Sequence, residues 1–184
     1  MKDLNKLSKE IYEANKAKGF HDEKHSDEHM MCLVVSELME AVEADRKGRR
    51  ADLMALKACM CVVLDEDCEE QFSKSFVGLV KDTVEDELAD AVIRLLDTAG
   101  ALGITINLEK VNELVKDFDK DKAITTRFSE FIYYTVVAIV DTPYYYGLAL
   151  IIGYCNAFNI DLWKHVELKL KYNSLRPYKH GKAY

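Results

Sequence analysis

Residues that interrupt helices are scarce in this sequence. Its 184 residues include only two prolines and eight glycines, and these two residue types are the strongest interruptions of regular structure. No segment alternates apolar and polar residues convincingly enough to predict a strand. We therefore expect an all-α protein, and the length suits a single domain, residues 1–184, with a sizeable core.

Basic residues are outnumbered by acidic ones, 25 to 32, and long hydrophobic runs are scarce. The net charge of −7 argues against a nucleic acid polymer as partner, because phosphate backbones select basic surfaces. The longest apolar stretches, FIYYTVVAIV and YYYGLALIIGY, are too short to cross a bilayer. The N-terminal segment lacks the apolar core of a signal peptide. These absences predict a cytoplasmic protein with no membrane partner.

Familiar zinc and di-iron ligand patterns are missing as well. Cys59 and Cys61 lie close together, but no second Cys/His pair at zinc spacing accompanies them. None of the five histidines follows a glutamate by three residues, which excludes the Glu-x-x-His ligands of di-iron bundles. His21, His25 and His29 are four residues apart, yet the flanking glycine and serine predict a break in the helix that would align them. Reduced thiols and structural histidines are the simpler interpretation.

Helical periodicity is what the sequence has in abundance. It predicts helices at 3–17, 28–47, within 51–64, and at 83–102, 107–118, 127–140, 143–158 and 160–173. Pro143 is expected in the first turn of the helix that it opens. The less regular segment 49–80 is interpreted as an insertion, and its acidic run at 65–70 as a solvated turn. The chain then ends in a basic tail.

Two of the predicted helices carry carboxylates at the edge of an apolar face. At about 100° per residue, Glu37 and Glu40 project together from the border of one face, and Glu87 and Asp90 repeat the same spacing. Packing of the two apolar faces would bring four mutually repelling carboxylates together. Hard divalent cations, Mg²⁺ first, are the natural complement. Arg94 is expected to brace Asp90, four residues earlier. Solvated surface charge is the alternative, since such pairs are common on helices.

The order of these motifs resembles the MazG-like, all-α nucleoside triphosphate pyrophosphatase superfamily, whose hallmark is ExxE on one helix and ExxD on another. The two motifs read ELME at 37–40 and ELAD at 87–90. The end of the chain, HVELKLKYNSLRPYKHGK, resembles the K-x-x-YN-x-x-R-P-x-x-HGK close of one branch of the superfamily. The chain differs from compact members in the long separation of its two acidic motifs, which is why 49–80 is interpreted as an insertion.

The resemblance implies Mg²⁺-dependent hydrolysis of a nucleoside triphosphate to a nucleoside monophosphate and pyrophosphate, with Mn²⁺ as an alternative cation. It assigns catalysis and metal binding to Glu37, Glu40, Glu87 and Asp90. One of these carboxylates, or the neighbouring Asp86, would orient the attacking water. The resemblance further implies a homodimer or homotetramer.

The closing block adds candidate contacts to the nucleotide. Lys169, Asn173 and Arg176 share one helix edge at i, i+4 and i+7 and are expected to bind the substrate. The basic residues of the tail, which would meet phosphates or remain solvated, are Lys179, His180 and Lys182. The alternative to an enzyme is a non-catalytic helical oligomerisation or nucleotide-sensing module that retains a relict acidic site.

Overall fold

The computed structural model describes residues 2–60, 68–141 and 145–181. All regular secondary structure within these ranges is helical, which confirms the predicted all-α class. The α-helices are α1 Leu4–Ala17, α2 Asp27–Arg46, α3 Leu53–Met60, α4 Cys68–Leu79, α5 Val84–Ala101, α6 Leu108–Lys116, α7 Lys120–Thr125, α8 Phe128–Asp141, α9 Tyr145–Ala157 and α10 Leu162–Leu175. A short 3-10 turn, Tyr178–Gly181, follows α10.

Helix α5 lies at the centre of the core. It packs against α1, α2 and α10, and more lightly against α9. Thirteen of its 18 residues are buried, and they include Asp86, Glu87 and Asp97. Because a buried carboxylate is costly unless it is paired or bound to a cation, each of these side chains needs a partner inside the protein.

Two side-chain caps set the start of the acidic helices. Ser26 Oγ accepts a hydrogen bond from the backbone N–H of His29 at 3.2 Å, and Thr83 Oγ1 accepts one from that of Asp86 at 3.3 Å. Each bond satisfies an N–H group that a helix N-terminus otherwise leaves unpaired. The caps therefore fix where α2 and α5 begin.

Within residues 49–80, the described part of the chain contains two helices, of which the sequence predicted only α3. Helix α4 packs against α3 and α10 around a small apolar cluster that includes Leu56, Phe76 and Leu168. The interpretation of the acidic run as a solvated turn was wrong for Cys68–Glu70, which form the first turn of α4. Acidic side chains are favoured at that position by the helix dipole. The rest of the run, 65–67, lies outside the described residues.

The other helices follow the predicted pattern with small differences. Helices α6, α7 and α8 pack around α9, and α8 also packs against α2. The six-residue α7 was not predicted, because it is too short to show an amphipathic repeat. The predicted helix start at Pro143 lies outside the described residues. Among those residues, no helix is both long enough and apolar enough to cross a membrane.

Candidate metal centre

Three carboxylates converge where α2 packs against α5. One oxygen atom from each of Glu37, Glu87 and Asp90 lies within 4.8 Å of the others. Glu37 and Glu87 are buried, at 7% and 3% exposure, and Asp90 is half-buried. The two helices meet here because their apolar faces, with Val34 and Leu88 fully buried, belong to one core. Oxygen ligands at this spacing suit a hard divalent cation.

Glu40 lies outside this three-carboxylate cluster. It is exposed, and its Oε1 accepts a hydrogen bond from Ser36 Oγ at 3.4 Å. Burial and the charge of Asp90 raise the pKa of Glu37, Arg94 opposes the rise, and the charge of Glu40 adds to it. The structure therefore brings together three of the four predicted metal ligands and leaves the fourth at the solvent edge.

Lys169 of α10 closes the buried side of the cluster. Its Nζ lies 2.6 Å from Asp86 Oδ2 and 2.7 Å from Asp90 Oδ2, and the residue is 4% exposed. Burial alone would lower the pKa of Lys169, but the two carboxylates raise it above the ordinary lysine value. Lys169 is therefore a permanent cation bound to protein carboxylates. A nucleotide could reach this ammonium only by sharing it with them.

Burial raises the pKa of several carboxyl groups at this site. It raises the pKa of Glu87 to about 9, with Lys169 opposing the rise and Asp90 adding to it. Burial, followed by repulsion from Asp90, also raises the pKa of Glu37. Asp86 is fully buried, and its pKa is raised to about 6, with Lys169 holding it below neutrality. A cation bound among these groups would reverse the local field and favour their ionised forms.

Arg94 binds Glu37, which corrects the prediction that it would brace Asp90. Arg94 Nε donates to Glu37 Oε1 at 3.2 Å across the α2–α5 contact. Asp90 is instead neutralised by Lys169 from α10. Pairing at i, i+4 applies within one helix. In the folded chain, Arg94 and Asp90 of α5 instead bind residues of α2 and α10.

A small cavity of about 40 Å³ lies beside the cluster. Its lining comprises Asn15, Phe20, Glu37, Asp90, Ile93, Arg94, Asn173, Arg176 and His180. Asn173 and Arg176, which the sequence predicts to bind substrate, thus share a cavity with two of the carboxylates. Asn173 Oδ1 and His180 Nε2 are buried without a hydrogen-bond partner among the described residues. Since buried polar atoms are normally paired, the cavity suits a polar ligand.

The segment after α10 folds back over the loop between α1 and α2. Lys18 Nζ donates to the carbonyl oxygens of Ser174 at 2.8 Å and Arg176 at 2.6 Å. The Tyr178 hydroxyl donates to the carboxylate of Asp22. These contacts hold the end of the described chain against the wall of the cavity.

The basic tail predicted to meet phosphates is thereby tied to the protein. Lys179 N donates to the carbonyl of Lys18 at 2.8 Å, and His180 lines the cavity. Both residues have positive φ angles, +46° and +51°, which non-glycine residues rarely adopt outside functional or closely constrained sites. Burial, together with the nearby cations of Arg176, Lys18 and Arg94, lowers the pKa of His180 to about 4, so its ring is neutral at pH 7. Lys182 lies outside the described residues.

Gly19→Ala should loosen this tail. Gly19 has a φ of +85°, and an added Cβ would collide with the ring of Tyr178. We expect faster hydrogen exchange over residues 176–181 and a loss of about 1 kcal/mol in the free energy of unfolding. Gly48→Ala is the matched control, because Gly48 also has a positive φ but an added Cβ there meets nothing within 4 Å. Equal exchange at the tail in the two variants would contradict the proposed contact.

The raised pKa of Glu87 predicts a stability that depends on pH. Because the folded chain binds this proton more tightly than an unfolded chain with the ordinary value of 4.5, its stabilisation is complete below about pH 4.5 and is lost towards pH 9. In EDTA, the melting temperature should therefore fall between pH 7 and 9. Excess Mg²⁺ should suppress the fall, since the cation binds the ionised carboxylates. Glu87→Gln should flatten the profile in EDTA, and an unchanged profile in that variant would refute the assignment.

The three histidines that lie four residues apart in the sequence contact other side chains of the protein. His21 Nε2 lies 2.9 Å from Asp97 Oδ1; Asp97 is buried and His21 is partly buried. The rings of His25 and His29 stack at 4.6 Å. The sequence did not predict the His21–Asp97 pair, although Asp97 directly follows the apolar Leu95 and Leu96 on α5, which indicated that it would need a polar partner.

Comparisons with known proteins add no assignment. No protein-family model matches this chain, and no curated protein and no solved structure is significantly similar to it. The resemblance of its acidic motifs to the MazG-like superfamily remains a prediction. The case for a function therefore depends on the geometry of the cluster and its cavity.

Proposed function

We propose that this protein is a Mg²⁺-dependent nucleoside triphosphate pyrophosphohydrolase that releases a nucleoside monophosphate and pyrophosphate. The observation that carries the proposal is the convergence of Glu37, Glu87 and Asp90 beside a cavity lined by Asn173 and Arg176. The order of the ExxE, ExxD and closing motifs supports membership of the MazG-like superfamily. A phosphate substrate with a divalent cation matches a site that combines buried carboxylates with guanidinium groups.

The donor set fits Mg²⁺, with Mn²⁺ as the alternative. Glu37, Glu87 and Asp90 offer only oxygen atoms, the ligands that hard cations prefer. Such a cation neutralises charge on phosphate oxygens and makes a bound water a better nucleophile near neutral pH. Arg94 contacts Glu37 and Lys169 contacts Asp90, so each of these two ligands has a cationic partner that holds it in place.

Other residues of the cavity would position the nucleotide. Arg176 supplies a planar guanidinium, which suits bidentate contacts with phosphate oxygens. The unpaired Oδ1 of Asn173 can accept a hydrogen bond from a sugar hydroxyl or a base. Of the two carboxylates outside the cluster, Asp86 is fully buried and bound to Lys169. Exposed Glu40 is therefore better placed to orient the attacking water.

The cavity must enlarge before a nucleotide can bind. Its volume of about 40 Å³ is far below the several hundred Å³ that small-molecule sites commonly have. The tail that includes His180 forms part of its wall and is held mainly by hydrogen bonds of exposed or half-buried groups. We infer that movement of this tail admits the substrate.

Pyrophosphate release tests the proposed function. We expect nucleoside triphosphates or deoxynucleoside triphosphates in a panel to yield pyrophosphate and monophosphate in equal amounts with Mg²⁺, and nothing with EDTA. Quantifying both products separates this reaction from removal of the terminal phosphate, which would yield a diphosphate. Absence of turnover across the panel would refute the enzyme assignment.

A non-catalytic oligomerisation module is the second candidate function. Helix α8 exposes Tyr133, Tyr134, Val137 and Val140, with Tyr133 and Val140 more than 60% exposed. Contiguous apolar surface of this kind is typical of protein interfaces. We therefore propose a homodimer or homotetramer. The cytoplasmic location is a separate proposal, which comes from the sequence. Sedimentation equilibrium of the wild type and of Val140→Asp tests the interface.

A further inference from the structure

The charges around the cluster leave room for one divalent cation. The four carboxylates that touch or form it are Glu37, Asp86, Glu87 and Asp90, and the two cations that bind them are Arg94 and Lys169. When all six side chains are ionised, their sum is two negative charges. One Mg²⁺ or Mn²⁺ would bring this sum to zero, and a second would leave an excess of two positive charges in a largely buried site, which is costly.

The position of Lys169 closes one route to a second metal. Its ammonium lies between Asp86 and Asp90, at 2.6 and 2.7 Å from their oxygen atoms. A cation that bridged these two carboxylates would have to displace a buried ammonium. The carboxylates left for a metal are those of Glu37, Glu87 and Asp90. One oxygen atom from each lies within 4.8 Å of the other two.

An unpaired oxygen shows that Lys169 alone does not satisfy the buried carboxylates. Asp86 is fully buried, and its Oδ1 has no hydrogen-bond partner among the described residues. Its other oxygen, Oδ2, accepts hydrogen bonds from Lys169 Nζ and from the backbone N–H of Asp82. The same ammonium also contacts Asp90, so two carboxylates share one positive charge, and this arrangement favours an additional cation nearby.

We propose that Lys169 is a built-in cation that limits the nucleotide-free site to one divalent metal ion per chain. The inference rests on the proposed function and specifies its metal requirement. Lys169 is in this view a positioning residue: it holds Asp90 towards the metal and takes the place of a second ion. Further Mg²⁺ would enter with the triphosphate, which binds it through its own oxygen atoms.

Counting bound Mn²⁺ tests the proposal without reference to activity. The nucleotide-free protein is titrated with Mn²⁺, and the free ion is followed by its paramagnetic resonance signal. We expect one bound ion per chain for the wild type and for the control Lys164→Met, which removes an exposed lysine of the same helix. Lys169→Met should bind two ions, because its site carries one more uncompensated negative charge and space between Asp86 and Asp90.

Each outcome of the titration bears on the proposal. Two ordered ions in the wild type, or none, would overturn it, and so would a single ion in Lys169→Met. If that variant is unfolded in EDTA, Mn²⁺ should refold it with two ions bound, and failure to refold at saturating Mn²⁺ would count against the proposal. Pyrophosphate release measured on the same wild-type sample separates the two claims. One ion without turnover refutes the proposed function alone, whereas two ions with turnover refute only this inference.

Discussion

Asp90→Asn should reduce Mg²⁺-dependent pyrophosphate release by at least about a hundredfold, because losing even an outer partner of a metal ligand commonly costs 10–100-fold. Asp90 contributes to the three-carboxylate cluster and lines the cavity. Asparagine keeps the size of the side chain but removes the charge that a divalent cation needs. The rate should be measured as pyrophosphate formed at saturating nucleotide over a range of Mg²⁺ concentrations.

Two further variants make this result specific. Asp121→Asn removes a carboxylate from the exposed first turn of α7 and should retain wild-type activity. Glu40→Gln should have a smaller effect than Asp90→Asn, because Glu40 lies outside the cluster. Near-wild-type activity of a folded Asp90→Asn protein would remove the proposed metal centre. A larger loss in Glu40→Gln would instead mean that the bound state recruits the exposed carboxylate into the site.

Lys169→Met should lower the free energy of unfolding by about 3–5 kcal/mol, the usual cost of removing one partner from a buried ion pair. The substitution leaves Asp86, at 0% exposure, with the backbone N–H of Asp82 as its remaining hydrogen-bond donor. Because methionine fills much of the same buried volume, the loss in the free energy of unfolding comes from removal of the charge and not from a new cavity. Urea unfolding at pH 7 in EDTA measures it.

Lys164→Met serves again as the control for removal of a lysine from α10. Its partner is Glu167, at 2.9 Å, and both side chains are exposed. Exposed pairs contribute between about 0 and 1 kcal/mol, so this variant should remain close to the wild type. Equal destabilisation by the two substitutions would show that the Asp86–Lys169–Asp90 contacts do not carry the expected energy.

Local periodicity predicted most helices and the edge on which the acidic residues lie. Periodicity failed in two places with different causes. Helix α4 begins in an acidic run that resembles a solvated turn, and only its packing against α3 and α10 shows that Phe72 and Phe76 are buried. Helix α7 has six residues, too few for a repeat to be recognised.

The candidate site shows the same division between local and tertiary information. The spacing predicted that Lys169, Asn173 and Arg176 share one helix edge. This was wrong for Arg176, because α10 ends at Leu175 and Arg176 is its extended C-cap, although Asn173 and Arg176 both line the cavity. The depth at which each residue lies follows from how α10 packs on α5, so Lys169 is buried against carboxylates. In the same way, Arg94 finds Glu37 on another helix rather than Asp90 on its own.

By itself, the sequence determined the helical class, the starts of the two acidic helices and the presence of carboxylates beside their apolar faces. These properties follow from periodicity and capping, which depend on residues within a few positions of one another. Only the tertiary structure decided that Glu37, Glu87 and Asp90 meet while Glu40 remains exposed, and that Lys169 neutralises Asp86 and Asp90. Such pairings join residues from different helices, and the packing of those helices sets their distances and burial.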